Sequence, residues 1–401
     1  MKNVVLGVTG GIAAYKACEI VSSLTKKNIN VDVVMTKNAT EFVSPLTFMT
    51  LSKNVVNTDT FANIKYYEVE HIELAKKADL LVIAPATANI IAKLANGIAD
   101  DMLSTVALAT KSQILIAPAM NTNMYENTVT VENTEKLKKR GVKFIEPKFG
   151  LLACQDIGKG KLADVDDIVE RIEYELGKTC ELKGKKITVT AGGTIEDIDP
   201  VRYITNNSSG KMGYAIARQA VYMGADVTLI SAKTNLKKPY GLYKYIEVRS
   251  AGDMYEAVMR EYEDADIVVK AAAVADFTPV NYAERKIKKT QDDLKIELKR
   301  TKDILKTLGE NKKNQFLAGF AAETENVEEY AKNKMKTKNL DMIVANNVAS
   351  EGAGFNADTN IAEIFFKDNT SRKIEKMPKQ ELAKIILSCI AEKLSRHDNC
   401  K

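Results

Sequence analysis

A short apolar run that stops at two glycines and gives way to a helical pattern constrains this chain more than any other feature. Residues 3 to 8, NVVLGV, have strand length, and Thr9-Gly10-Gly11 break the run. IAAYKACEIVSSLTKK follows with helical spacing, and apolar residues resume at 29 to 35, INVDVVM. Strand, tight turn, helix, strand in that order predicts a βαβ unit with its two strands parallel. The plan recurs at 78 to 89, ADLLVIAPATAN, and at 113 to 123, QILIAPAMNTN, both of which end their apolar run in Ala-Pro-Ala. Open parallel sheets bind ligands at the carboxyl ends of their strands, so these loops are candidate sites.

Near residue 178 the pattern restarts. GKTCELKGKK (177 to 186) is polar and lysine-rich, and ITVTAGGT (187 to 194) again runs from strand into glycines. A chain of 401 residues, 45% hydrophobic, sustains two full-sized cores. The expected organisation is a domain over 1–178, a linker over 179–185 and a domain over 186–401. VTGG recurs as TAGG, and ADLLVIAPATAN as ADIVVKAAAVAD (265 to 276), an echo that convergence on βαβ grammar explains. The expected fold class is α/β, with two Rossmann-like, doubly wound parallel sheets.

Composition excludes several classes. The five cysteines, at 18, 154, 180, 389 and 400, form no CxxC and are odd in number, which points away from a disulfide framework or zinc site and towards reduced thiols in a cytoplasmic protein. The opening MKNVVLGVTGG is signal-like only until Thr9-Gly10-Gly11 interrupts it. No apolar run reaches the ~18 to 20 residues of a membrane span. The net charge of +5 is mild and interspersed, so no nucleic-acid or membrane partner is expected.

Gly10-Gly11, between strand and helix, suits an anion at the helix N-terminus, and it equally suits a tight turn with nothing bound. The same pair of readings applies to Gly192-Gly193. NNSSGKMG (206 to 213) goes further, offering hydroxyls, backbone N–H groups and one cation just before a helical run. It lacks the GxxxxGK[ST] spacing of a Walker A loop.

Taken in order, GVTGGIAAYK, PATAN, NGIADDMLST, PAMNTNMYEN and GLLACQDIGKGKLAD resemble the flavin-dependent cysteine decarboxylases. DPVRYITNNSSGKMG, AAAVADF, KIKK and GFAAET resemble phosphopantothenate–cysteine ligase. Together they make nearly the whole chain similar to the bifunctional coenzyme A biosynthesis family. For the first domain the resemblance implies a flavodoxin-like fold and FMN. Gly10, Gly11 and Ile12 would offer backbone donors to its phosphate and Thr36 a hydroxyl, while Thr87, Ala88, Asn89 and Ser104 would lie along the flavin. His71 alone reads as an ordinary surface or core histidine; the resemblance makes it the group that takes a proton from a thiol. Asn121 would hold a carboxylate or amide of the substrate. Cys154 would be the acid that protonates an ene-thiolate carbon from a glycine-containing flap, with Cys18, Cys180 and Cys389 as apolar filler. Departures from the family pattern are Tyr125 for tryptophan, Gln155 for glycine and Lys161 for arginine.

For the second domain the resemblance implies activation of 4'-phosphopantothenate by CTP as an acyl-cytidylate, then attack by L-cysteine. Ser208, Ser209, Gly210 and Lys211 would meet the triphosphate, and Asp276 the nucleotide or its Mg2+. Lys286, Lys288 and Lys289 form KIKK, by itself a solvated face or half an exposed strand; the resemblance assigns Lys286 to the nucleotide. Asp303, Phe320, Lys334 and Lys338 match further nucleotide contacts, and Arg202 and Asn206 match residues that handle the acyl intermediate or phosphopantothenate. Asn347 stands where the family has aspartate and receives no role. The implied assembly is a homo-oligomer, trimeric or dodecameric through the flavin half and dimeric through the ligase half. Two rivals are a peptide cysteine decarboxylase with a substrate-holding second half, and a non-enzymatic relative that binds a phosphatase.

Overall fold

The amino-terminal run forms β1 (Asn3–Val8), and the apolar runs that follow it form β2 (Asn30–Met35), β3 (Leu80–Ala86), β4 (Gln113–Pro118) and β5 (Lys143–Phe144). The computed structural model describes residues 1–61, 69–288, 294–323, 327–347 and 357–398, and it divides into two units, Met1–Gly177 and Lys178–Lys401. In the first unit the five strands are parallel in the order β2-β1-β3-β4-β5. This is the flavodoxin-like doubly wound order, whose switch point lies between β1 and β3.

Successive residues of a strand face opposite sides, so each strand feeds two cores. Val4, Leu6 and Val8 pack with Ile20 and Leu24 of the helix Ala14–Lys26 and with Ile168 and Ile172 of the helix Val165–Gly177. Val5 packs on the other side with Ile90, Leu103 and Val106, from the helices Ala88–Asn96 and Met102–Ala109. With both faces covered, the strands read as continuous apolar runs, and β3 is buried along its whole length. Beyond the sheet, β6 (Lys148–Leu151) and β7 (Ile157–Lys161) pair as an antiparallel hairpin with residues 152–156 at its tip.

The second unit begins with β8 (Lys186–Ala191), followed by β9 (Ile195–Asp197) and β10 (Tyr203–Thr205), which pair as a hairpin. Next come β11 (Asp226–Ala232), β12 (Lys244–Val248) and β13 (Ile267–Lys270), then an antiparallel pair, β14 (Phe277–Pro279) and β15 (Leu298–Arg300). The strands β16 (Phe316–Glu323), β17 (Met342–Asn347), β18 (Thr359–Phe366) and β19 (Ser371–Pro378) complete it. The main sheet has eight strands in the order β12-β11-β8-β13-β16-β17-β18-β19.

That sheet corrects the expectation of a purely parallel one. From β12 to β17 it has the Rossmann order with its switch between β8 and β13. However, β18 and β19 are antiparallel, joined by a short turn in which Asn369 adopts a φ of 63°. A connection this short has no room for a crossover helix and forces reversal.

Residues 179–185, expected to be a linker, are instead built into the second unit, and the division falls one residue early, after Gly177. Thr179 N donates to Tyr222 O, Leu182 N donates to Met223 O, and the Leu182 side chain is buried. Cys180, expected to be apolar filler, is exposed. Cys18 is half-buried and Cys389 buried; Cys400 lies outside the described residues. No helix among the described residues is long and apolar enough to cross a membrane.

The helix Lys211–Tyr222 lies close over β8 because Gly213 has no side chain. A Cβ there would sit 2.6 Å from Ala191 Cβ and 2.8 Å from Thr190 O. Gly213→Val is therefore predicted to push the helix off the sheet and cost about 1–3 kcal/mol, as overpacking does. Chemical denaturation of the second unit checks this, and an unchanged midpoint would mean that the contact yields freely.

Candidate active sites

In the first unit the loops after β1 and β3 are joined by a buried hydroxyl. Thr9 Oγ1 donates to Pro85 O at 2.8 Å and accepts from Thr87 N at 3.0 Å. Thr36 N donates to Val8 O at 3.0 Å, which brings the end of β2 to the same place. Gly10 is pressed so near Asn38 that a Cβ would lie 2.4 Å from that residue's own Cβ. The result is a cavity of about 480 Å³ whose lining includes Gly10, Gly11, Ile12, Thr87, Asn121 and Cys154.

Six of the residues singled out from the sequence therefore share one cavity, and others do not line it. Ala88 and Asn89 open the helix Ala88–Asn96, with Thr87 as its cap. Ser104 was expected along the flavin; its hydroxyl is buried in a capping box with Asp101, accepting from Asp101 N at 3.1 Å. His71, the second residue of the helix Glu70–Lys77, is not among the lining residues.

The hairpin closes one side of the cavity. Its strand β7 docks on the loop after β4 through Met120 N, which donates to Gly160 O at 3.0 Å. Gly160 has a φ of 142°, and a Cβ there would lie 2.3 Å from Met120 O, so only glycine allows this approach. At the tip, Asn121 Nδ2 donates to Asp156 Oδ2 at 2.8 Å and to Cys154 Sγ at 3.3 Å. Cys154 Sγ donates to Asp156 Oδ2, also at 3.3 Å. Asn121 Oδ1 accepts from Asn123 N and caps the short helix Thr122–Glu126. The Asn121 amide, expected to hold a carboxylate or amide of the substrate, here donates to Cys154 and to Asp156, a carboxylate not singled out in the sequence.

In the second unit the loops after β8 and β13 are joined in the same way. Thr194 Oγ1 accepts from Ala275 N at 2.9 Å, Thr194 N donates to Ala273 O, and Ala273 N donates to Gly192 O. Asn206 lies against this junction, its Nδ2 donating to Val274 O at 3.2 Å and Ala273 O at 3.4 Å. Gly210, with a φ of 76°, precedes the helix Lys211–Tyr222, and its N–H donates to Ser208 Oγ. Ser209 belongs to the same loop. Lys211 pairs with Asp358 at 2.7 Å and lines a separate cavity of about 340 Å³ with Arg218 and Lys379.

A second carboxylate missed in the sequence, Asp199, is buried and gathers the next group. It accepts from Val201 N and Arg202 N at 2.8 Å, from Arg202 Nη1 at 3.3 Å, and from Ile287 N at 3.1 Å. Burial opposes its ionisation, but those N–H groups and the Arg202 charge outweigh it and hold the carboxyl below its usual range. KIKK is thereby hung on the loop that carries Arg202. Residues 286–288 form no strand; Lys286 and Lys288 are exposed, and Lys289 lies outside the described residues.

The loop after β13 also carries Asp276, which is exposed and whose carbonyl accepts from Thr301 N. Asp303 caps the helix Ile304–Glu310 and pairs with Lys338 at 2.7 Å. Lys334 Nζ donates to Phe320 O at 3.2 Å. Among these groups stands Lys270, the last residue of β13. Burial first, then the charges of Lys334 and Lys338, pull its pKa down to about 8, against the opposing pull of Asp303 and Asp276. Its signal in the sequence is a lysine closing the apolar run IVVK. Among the described residues no group of three or more histidine, cysteine or acidic side chains is placed to hold a metal ion.

A family model described as Flavoprotein matches residues 1–177, and one described as DNA/pantothenate metabolism flavoprotein C-terminal domain matches residues 182–394. The chain is 52% identical to the Coenzyme A biosynthesis bifunctional protein CoaBC of Bacillus subtilis over 97% of both chains. It is 44% identical to the protein of the same name from Haemophilus influenzae over 98% of both. A crystal structure of the C-terminal domain of a Coenzyme A biosynthesis bifunctional protein is 46% identical, with a TM-score of 0.48, over 54% of this chain and all of that one.

The depressed Lys270 has a consequence for stability. A lysine whose folded pKa lies below its unfolded value costs stability wherever it is charged, and the cost fades as pH rises from the folded value to the unfolded one. Lys270→Met is predicted to raise the unfolding temperature of the second unit most below pH 8, with the gain shrinking towards pH 10. A gain independent of pH would place the ammonium in solvent.

Proposed function

This chain belongs to the family of bifunctional coenzyme A biosynthesis proteins, joining a phosphopantothenoylcysteine decarboxylase to a phosphopantothenate–cysteine ligase, and on that premise we propose how its residues divide the work. Residues 1–177 form the FMN-dependent decarboxylase and 178–401 the CTP-dependent ligase. Substrates are CTP, 4'-phosphopantothenate and L-cysteine, and the product is 4'-phosphopantetheine. The observation that carries the decarboxylase half is the convergence of Gly10, Gly11, Ile12, Thr87, Asn121 and Cys154 on one cavity.

The residues fit FMN. The glycine loop leaves its backbone bare, pressed against Asn38 where a side chain would intrude, and it precedes a helix N-terminus, which favours a phosphate. Gly10, Gly11, Ile12 and Thr36 would hold that phosphate, with Thr87, Ala88 and Asn89 beside the ring system. When bound, FMN supplies a reversible two-electron sink for the substrate thiol, without which the carbanion left by CO2 has no stabilisation. The chain's own residues then do the proton work. Cys154 delivers a proton to the ene-thiolate carbon, and Asn121 fixes the hairpin tip that carries it. His71, outside the cavity of its own copy, would serve a neighbouring copy in a trimer or dodecamer.

In the ligase half, Lys286, Lys288, Lys289, Asp303, Phe320, Lys334 and Lys338 would hold the nucleotide, and Ser208, Ser209, Gly210 and Lys211 would meet the phosphates. Arg202 and Asn206 would meet the acyl group. Asp276 fits Mg2+ in the way that ion is usually held, by one or two carboxylates plus substrate phosphates. The ligase halves would pair as dimers.

Cys154→Ser is predicted to retain bound flavin and CO2 release while blocking the last reduction, so that an oxidised, decarboxylated product accumulates. Parental yields of 4'-phosphopantetheine would remove Cys154 from the reaction. For the ligase, Lys286→Gln is predicted to slow pyrophosphate release from CTP and 4'-phosphopantothenate, without cysteine, by about a hundredfold or more, the usual loss of a preorganised charge-stabilising donor. Near-parental release would return KIKK to the solvated surface.

A further inference from the structure

A thiol that gives up its proton once per turnover must recover it, so what surrounds Cys154 matters. Cys154 is the exposed tip of a hairpin and has two partners, each held by the other. The Asp156 carboxylate accepts from the thiol at 3.3 Å, and the Asn121 amide donates to both the sulfur and the carboxylate. Asp156 follows Cys154 by two residues across the turn, where Gln155 adopts a φ of 69°. Asp156 N lies in the turn, and Leu152 N donates to Asp156 O at 2.8 Å, which closes the tip on itself. Aspartate and thiol are thus presented together by one tight loop.

We propose that Asp156 is the positioning residue of the decarboxylase half, holding the Cys154 thiol in place at the hairpin tip until its S–H turns to the substrate carbon, and returning a proton to the sulfur after each turnover. The inference rests on the reading of Cys154 as the proton donor. Loss of CO2 breaks the carbon–carboxylate bond and leaves its electron pair in the ene-thiolate. The S–H bond of Cys154 then breaks, and its proton forms the new C–H bond. The oxidation of the substrate thiol and the later reduction cancel through the flavin that the established activity supplies, so each turnover consumes one proton. That proton enters from water. The sulfur lies 3.3 Å from the Asp156 carboxylate, within reach of a proton handed over from it. Asp156 takes the proton from solvent at the exposed tip and passes it to the sulfur. The Asn121 amide, donating to both, holds the charge while the exchange occurs.

The test uses the full-length protein with FMN and compares the parent with Asp156→Asn and Asp156→Glu. In single turnovers Asp156→Asn is expected to release CO2 at close to the parental rate. It should form 4'-phosphopantetheine about a hundredfold more slowly, so that the oxidised, decarboxylated product builds up. Asp156→Glu should restore most of the lost reduction, which a loop damaged by the substitution would not do. A second measurement needs no turnover: alkylation of Cys154 by iodoacetamide in the flavin-free protein, followed on the Cys154 peptide by mass spectrometry. Removing the carboxylate that holds the S–H should accelerate it several-fold in Asp156→Asn and leave it near parental in Asp156→Glu. Parental product formation together with parental alkylation in Asp156→Asn would overturn the proposal, and so would equal loss of CO2 release and reduction. If the parent itself released no CO2, the decarboxylase reading would fall, and unchanged alkylation would still separately refute the Asp156–Cys154 contact.

Discussion

A buried threonine hydroxyl that ties the loop of the first strand to the loop of the neighbouring strand underlies both halves of this protein. Thr9 does this in the first unit, accepting from Thr87 N and donating to Pro85 O. Thr194 does it in the second, accepting from Ala275 N while its own N–H reaches Ala273 O. In a doubly wound sheet these two loops leave the switch point on opposite sides, and the crevice between them is where a ligand enters. Left unjoined, they would expose backbone donors and acceptors that must find partners. One hydroxyl, able both to give and to accept, satisfies that need without filling the crevice.

What each crevice becomes depends on the groups brought to its rim. In the first unit they are small: glycines 10 and 11, Thr87 and the docked hairpin, leaving room for a flat, largely apolar group. In the second unit they are charged. Asp199, buried and held below the usual carboxylate range, draws in backbone N–H groups from two segments far apart in sequence and so brings Arg202 and Ile287 to one carboxylate. Lys270, Lys334 and Lys338 crowd three cations at the heads of β13 and the elements after it, with Asp303 as a partial counterweight. Cations held this close repel one another until an anion joins them. That is a fitting rim for a triphosphate.

The repeating plan of strand, glycines and helix was legible because it is local: alternation within a strand and spacing within a helix are both written in consecutive residues. Hence the two cores, the point of restart and the glycine loops could be read directly. The family pattern then marked the six residues that share the first cavity. Long-range geometry was not legible. Nothing in DIDPVR says that Asp199 will accept from Ile287, because the contact exists only once both loops are folded. The antiparallel pair β18 and β19 was missed because the expectation rested on crossover helices and the turn between those strands is short. The Ser104 motif likewise does not spell out its local partner, the orphan N–H of Asp101 at a helix start, which its hydroxyl satisfies in a capping box.

The placement of Cys154, the proposed proton donor, follows from the same contrast. The floor of the first crevice is built from strands covered on both faces, where water does not reach. That suits a flavin and a carbanion-like intermediate, whose chemistry is protected by dryness. It does not suit a group that must be reprotonated at every turnover, because a buried thiolate has no source of protons. The hairpin resolves the conflict by carrying Cys154 and Asp156 on an exposed tip while Gly160 lets its strand press against the backbone of Met120. One end of the element is fixed to the floor, and the other remains in contact with water. The thiol thus lines the cavity and remains at an exposed tip, with a carboxylate beside it.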